Sequence, residues 1–437
     1  MNDRLARKVS RLSAGIVGVL GVFGAGMFVS ARELPPVPQL RELEDTYGSL
    51  SGSSAEDEWW TTPSQGGEPV QTLLPDEVEP GLLLVSTAQP DEMLVEVMDR
   101  DGDVVHSWTP DFDEVWPEGY RDFPPRVATA DHVFGLELLP DASIVANFAQ
   151  QSTFRIDVCG DVVWRLPNLG HHSVGLDPDG TLWVPGENYI PADGEVDIPN
   201  ATPPFHDWTI TNLSLDGELL RSYSVADILR DNGLESLLYL SSRDRGAPQI
   251  TYDPLHLNSV KALPEGVRSR LFDPGDLAVS LRNISTLLVL DGDTMEVKWH
   301  TTGPFFRQHD PIFLPGDRIS VFDNRPVANE DGSQESQIMV VDARTGEATV
   351  VLGGDGQGEE PFYSEIMGDH EYLSNGNLLV TPSDEGRVLE YTPDGRLAWS
   401  WQSRLDNETN GRTFEASVLP ASMDREFFEE RKAACAS

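Results

Sequence analysis

The strongest constraint on this 437-residue chain is one short pattern that returns six times. Two or three apolar residues lead into an Asp-centred turn, and a second apolar run follows, usually ending at an aromatic. Examples are Asp99-Arg100-Asp101-Gly102 running into Trp108, Asp291-Gly292-Asp293 into Trp299, and Pro393-Asp394-Gly395 into Trp399. The turn positions are Gly102, Gly160, Gly217, Gly292, Gly346 and Gly395, spaced by 58, 57, 75, 54 and 49 residues. Asp and Gly carry the turn chemistry of a β-hairpin, and alternating apolar residues form its strands. A period of this size fits a four-stranded blade with its loops. Length alone would suggest two or three domains, but a repeat array grows without dividing its core. The fold class predicted is all-β, a six-bladed β-propeller.

A second pattern interleaves with the first. A histidine precedes apolar residues, a Pro/Asp/Asn/Gly turn and another apolar strand. The copies begin at His132, His172, His256, His309 and His370. Each opens the strand that follows a closed hairpin. The first strand of a propeller blade lines the central channel, so these histidines are predicted to converge at one mouth. A polar ring around a channel is a natural pocket. Shared blade ancestry would also place them at one phase, and His132 and His370 are the two it covers best. His106, His206 and His300 are off-phase and receive no role.

The N-terminus carries an address. Arg4, Arg7, Lys8 and Arg11 precede a charge-free stretch from Leu12 to Ala31. Its length is marginal for a membrane span, which needs about 20 residues, and long for a signal-peptide core. Val29-Ser30-Ala31 also offers the small residues of a cleavage site. The expectation is therefore export. The body is membrane-anchored facing the periplasm or exterior, or periplasmic or secreted if the segment is removed. Domain boundaries follow: a signal-anchor or transmembrane segment at 1–31, a flexible Pro/Gly/Ser/acid-rich linker at 32–75, the propeller at 76–420, and a tail at 421–437 that can be helical. Trp59-Trp60 can dock onto the domain.

Lys and Arg total 31 against 73 Asp and Glu, a net charge of −42. Such a surface repels nucleic acid and is read as a solvated acidic coat. Cys159 and Cys435 are the two cysteines, able to pair in an oxidising compartment but making no framework and no zinc spacing. The Gly353-Gly354-Asp355-Gly356-Gln357-Gly358 run opens no helix and reads as a loop between blades.

Three stretches carry a family resemblance. Asp253-Pro254-Leu255-His256-Leu257-Asn258-Ser259-Val260 is followed by Ser280-Leu281-Arg282-Asn283. Gln308-His309-Asp310-Pro311 leads to Leu314-Pro315-Gly316 and Phe322-Asp323-Asn324. His171-His172 precedes Asp177-Pro178-Asp179-Gly180. Over roughly 80–420 the chain resembles the bacterial arylsulfotransferases, which move sulfate between phenols without a nucleotide donor. The resemblance implies that His309 is the histidine transiently sulfated. It implies that His256, Asn258 and Arg282 hold the sulfuryl oxygens, and that His172 is a further channel histidine, a place His171 can also fill. His370 is kept as a substrate-binding candidate. Aryl sulfates and phenols are the implied partners, besides the membrane through the N-terminal segment. No cofactor, metal or nucleic acid is expected. Between Asn258 and Arg282 the chain departs from the family in an extra charged stretch, Arg268 to Asp276.

The chemistry stands without the family. A neutral imidazole is a competent nucleophile near pH 7. An arginine fork suits a tetrahedral oxyanion, and a second histidine can protonate the leaving oxygen. Two other functions compete: a non-catalytic exported propeller that binds a ligand or protein partner, and a metal-dependent propeller hydrolase or lyase.

Overall fold

The computed structural model describes residues 60–89, 92–118, 132–242, 250–329, 332–354 and 358–436. The charge-free segment at 12–31, the linker as far as residue 59 and Asp355–Gln357 lie outside the described residues. No helix among the described residues is long and apolar enough to cross a membrane.

Two short strands come first, β1 (Thr61–Pro63) and β2 (Val70–Thr72). Blade 1 continues with β3 (Leu83–Gln89), β4 (Glu92–Met98) and β5 (Val104–Trp108). Blade 2 holds β6 (Val133–Leu138), β7 (Ile144–Phe148), β8 (Ser152–Ile156) and β9 (Val162–Leu166). Blade 3 holds β10 (Gly175–Leu176), β11 (Leu182–Ile190), β12 (Ala201–Leu213) and β13 (Leu219–Ser224), with β14 (Ile250–Tyr252) added beside β12. Blade 4 is β15 (Leu257–Ala262), β16 (Leu277–Leu281), β17 (Thr286–Leu290) and β18 (Val297–Thr302). Blade 5 is β19 (His309–Leu314), β20 (Arg318–Asp323), β21 (Gln337–Asp342) and β22 (Ala348–Gly353). Blade 6 is β23 (Asp369–Tyr372), β24 (Leu378–Thr381), β25 (Arg387–Tyr391) and β26 (Leu397–Gln402). After β27 (Thr409–Gly411), β28 (Thr413–Val418) returns to blade 1 as its innermost strand, pairing Ala416 with Val85.

The six-bladed propeller is as the repeats require. All six Asp/Gly turns join the third and fourth strands of a blade. At Gly102 the backbone φ is 87°, and Asp99 Oδ1 accepts from the Asp101 and Asp103 N–H groups. The histidine pattern has five copies because blade 1 takes its innermost strand from the far end of the chain. Buried aliphatic and aromatic side chains fill the blades and the seams between them. One cluster joins Val95, Trp108, Phe148 and Phe154 of blades 1 and 2.

One boundary is corrected. The stretch assigned to a linker is structured from Trp60 onward, because its backbone is captured by blade edges. β1 pairs with β27, and β2 pairs with β26 as a fifth strand of blade 6. Trp60 does dock, its ring centroid 4.2 Å from that of His132.

Helices are few. α1 (Phe112–Val115) follows blade 1. After β13 comes α2 (Val225–Asp231), capped by Ser224 Oγ accepting from the Asp227 N–H. The expected tail helix is α3 (Arg425–Lys432), capped by Asp424. Phe428 buries α3 against blades 1 and 2. Cys159 and Cys435 form a disulfide that pins the tail to the outer hairpin of blade 2.

Candidate active site

The innermost strands all begin at the same mouth of the channel, and their first residues build the site. His309 opens β19, and His256 immediately precedes β15. His171 and His172 lie in the approach to β10, and Arg282 starts a 3₁₀ turn between β16 and β17. The ladders are irregular here. The β15–β16 register skips Asn258, and the β6–β7 register skips Gly135. Such bulges re-aim side chains near sites. His172 and His256 have φ of 53° and 52°, a left-handed backbone that costs non-glycine residues about 1 kcal/mol or more. Gly135 (φ 62°) admits this packing, since a Cβ there would come within 2.0 Å of the His172 carbonyl oxygen.

Four histidine rings meet. His171 and His172 have centroids 4.0 Å apart, His172 and His256 5.7 Å, and His172 and His309 5.4 Å. Their tautomers follow from the partners. Asn324 Nδ2 donates to the carbonyls of Ser364 and Met367, so its Oδ1 faces His309. His309 Nδ1 lies 2.7 Å from that oxygen and must carry the proton. Nε2 is then unprotonated, and it accepts from the Met367 N–H at 3.2 Å. His256 Nδ1 lies 2.5 Å from Asp253 Oδ2, which leaves its Nε2 to accept from His171 Nε2 at 3.3 Å. Asp253 is fixed in turn by the Trp208 indole N–H at 2.8 Å.

Burial keeps the group uncharged. It drives His309 down to about 3 and His256 to about 4, with the Arg282 charge adding to both. Burial likewise holds His171 and His172 well below the usual imidazole range. Burial also lowers Arg282, to about 10, with Arg307 contributing, yet it stays a cation at neutral pH. Its Nε reaches Asn283 Oδ1 at 3.3 Å, and among the described residues it forms no ion pair. The mouth therefore sets the Arg282 cation beside four neutral imidazoles. Nitrogens of His171, His172 and His256 lie within 4.8 Å of one another, a spacing that could hold a metal ion.

The structure thus brings His309, His256, His172, His171, Arg282 and Asn258 to one end of the channel. Asn258 Nδ2 donates to the Gln308 carbonyl, while its Oδ1 is buried without a partner. His370 does not join them. Its Nε2 lies 2.8 Å from Ser320 Oγ and its Nδ1 2.8 Å from Asp310 Oδ2, so both ring nitrogens are committed deeper in blades 5 and 6. His132 packs among Trp60, Phe134 and Phe414 instead. Sequence reasoning gave no role to Asp253 or Asn324. The Asp three residues before His256 was a usable signal; Asn324, fifteen residues after His309, offered none.

Below the histidines the channel opens into a cavity of about 510 Å³, walled in part by His172, His309, Phe134 and Phe414. Deeper along the same strands lie Glu137, Lys261, Asp310, Asp369, Glu371 and Glu415. Lys261 pairs with Asp310, which lowers Asp310 and raises the lysine against the cost of burial. Burial pushes Glu137, Glu371 and Glu415 each up to about 7 and Asp369 well above its usual value.

A family model described as arylsulfotransferase (ASST) matches residues 135–404. The chain belongs to the arylsulfotransferase family. A search of curated proteins found no match. Among solved structures, a protein of unknown function from Bacteroides caccae is similar at 11% identity and TM-score 0.45, covering 77% of this chain and 100% of that one. A Neurospora crassa Pan2 WD40 domain is similar at 10% identity and TM-score 0.39, covering 80% of this chain and 94% of its own. A Staphylococcus aureus virginiamycin B lyase is similar at 9% identity and TM-score 0.34, covering 64% of this chain and 73% of its own. The arylsulfotransferase match spans blades 2 to 6 and so includes all six residues gathered at the mouth.

Proposed function

We propose that this arylsulfotransferase family member transfers a sulfuryl group from an aryl sulfate to a phenol through a sulfohistidine at His309. The observation that carries the reading is the unprotonated Nε2 of His309, its proton held on Nδ1 by Asn324; the Met367 N–H that Nε2 accepts from gives way when Nε2 turns to sulfur. Nε2 attacks sulfur, the S–O bond to the aryl group breaks, and the electron pair leaves with the aryloxide. Charge on the imidazole is countered through Nδ1–H and Asn324. Arg282 stands against the sulfuryl oxygens, where a fixed cation in a water-poor site is most effective. The first aryloxide takes its proton from water; an acceptor phenol then attacks the same sulfur, the S–Nε2 bond breaks to regenerate His309, and the acceptor's hydroxyl proton is taken up by a neutral imidazole and passed to solvent. His172, which faces both His309 and His256, is the group able to pass that proton.

The charge-free segment behind four basic residues and the disulfide both support work outside the reducing cytoplasm, with the segment serving as an anchor or as a removed signal.

The test is a single-turnover reaction with p-nitrophenyl sulfate. One nitrophenolate is expected per protein before acceptor is added, with a sulfuryl adduct on the peptide carrying His309. Chelator leaves the burst intact on this reading. A burst of full size in His309→Ala would overturn it.

A further inference from the structure

The cavity beneath the histidines is not lined as a site for simple phenols would need to be. Five carboxyl groups face one lysine, and that lysine is committed to Asp310. Glu415 Oε2 accepts from the Leu136 N–H at 2.8 Å, and Glu371 Oε2 from the Val418 N–H at 2.9 Å, so both are held in place. Acidic residues alone do not make a site, but two buried oxygens point to a ligand. Ser259 Oγ lines the cavity and has no hydrogen-bond partner, though the residue is only 1% exposed. It lies two positions before Lys261 on β15 and so shares the channel face. Asn258 Oδ1, also unpartnered, can only accept, so whatever completes it must bring a donor.

The rest of the wall is apolar. Phe134, Phe414, Leu136, Val174 and Ile312 line the same space, which suits a ring better than a hydrated metal ion. The vertical order is also set. Phe134 stacks on His172 with centroids 5.0 Å apart, and Glu137 is three residues further along β6, about 7–10 Å deeper at a strand's rise. A ring with a two-carbon amine tail spans that depth.

We infer that this part of the channel is a subsite for the ammonium tail of the acceptor, making phenols that carry a protonated amine the preferred acceptors, with Glu137, Glu371 and Glu415 as specificity determinants. The ring lies against the wall that Phe134 and Phe414 form together, their rings edge to face at 5.2 Å, its hydroxyl is presented toward His309, and the ammonium completes the carboxyl groups below. This assignment rests on the transfer reading above, and its test keeps the two apart.

The full chain, charged with p-nitrophenyl sulfate, is assayed with tyramine, 4-ethylphenol and 3-(4-hydroxyphenyl)propionate. The expected order of kcat/KM is tyramine, then 4-ethylphenol, then the propionate, with tyramine ahead of 4-ethylphenol by about tenfold or more. In Glu137→Gln/Glu371→Gln the ratio of tyramine to 4-ethylphenol falls to within about threefold. Equal use of the two acceptors by the wild-type protein, with the nitrophenolate burst intact, overturns the subsite and leaves the transfer reading standing. If no donor gives a burst, the transfer reading falls, and calorimetric binding of tyramine decides the subsite. A tenfold weaker Kd in the double variant supports it. Equal Kd values for tyramine and 4-ethylphenol, or calcium ions displacing tyramine at lower concentration, overturn it.

Discussion

The histidine mouth and the carboxyl-lined cavity share one channel, and burial acts on both, but in opposite directions. Burial penalises whichever form is charged, so the imidazoles lose their protons and the carboxyl groups keep theirs. His309 and His256 sink to about 3 and 4, while Glu137, Glu371 and Glu415 rise to about 7. The same desolvation thus leaves unprotonated imidazole nitrogens at one level and carboxyl groups poised near neutrality at the next. Charge survives where it has a partner or a task, in the Lys261–Asp310 pair, in Asp253 between His256 and Trp208, and in Arg282.

The sharpest way to break the comparison is to remove the charge at the mouth. Arg282→Lys keeps a cation but loses the fork, and we expect kcat/KM for an aryl sulfate to fall about 100-fold. A fall below threefold in a steady-state assay would mean the sulfuryl group does not meet this arginine. Asp253→Asn comes next. It removes the charge that orients His256, and a loss of about 10- to 100-fold in kcat with a small change in KM is expected.

Stability should separate the two levels by sign. Glu371 has a folded-state value of about 7 against an ordinary 4.5, so the folded protein takes up its proton first as pH falls. Its burial penalty is full above pH 7 and is relieved between pH 7 and 4.5. Glu371→Gln is therefore expected to stabilise by about 1 kcal/mol at pH 8, after allowance for solvent in the cavity, and by nothing near pH 4.5. The buried histidines act the other way. Their folded-state values lie below 6.5, so the unfolded chain is protonated first and stability is lost as pH falls from 6.5 towards 4. Thermal melts across this range check both signs, and a Glu371→Gln advantage that grows on acidification would contradict the assignment. The smallest effect is a flat one: the donor burst rate should change less than about twofold from pH 7 to 5, because His309 stays neutral throughout. A tenfold fall would show that the nucleophile titrates near 6.

How much of this was written in the chain depends on sequence distance. The hairpin turns and the phase of His172, His256 and His309 are local patterns, and they located blades and mouth together. His370 shares the phase and lines the cavity below, but stands apart from the other rings because Asp310 and Ser320 of the neighbouring blade claim its nitrogens. Of the partners that set tautomers, Asp253 sits three residues before His256, whereas Asn324 stands in one of the family-like stretches but reaches His309 from the end of the next strand, so its role followed only from the fold. The carboxyl-lined cavity draws Glu137, Lys261, Asp310, Glu371 and Glu415 from five different blades, so no window of sequence contains it. β1 and β2 were hidden in a Pro- and Gly-rich stretch because three-residue strands owe their existence to the edges they join.

The position of β28 sets an order of events as the chain is made. Phe414 and Glu415 form part of the cavity wall, and they lie within the last 24 residues of 437. During synthesis five blades can stack while the first still lacks its inner strand. A ribosome that stalls before residue 413 therefore releases a chain with every mouth histidine present and no closed cavity beside them. The cavity wall is complete only when β28 has been added to blade 1.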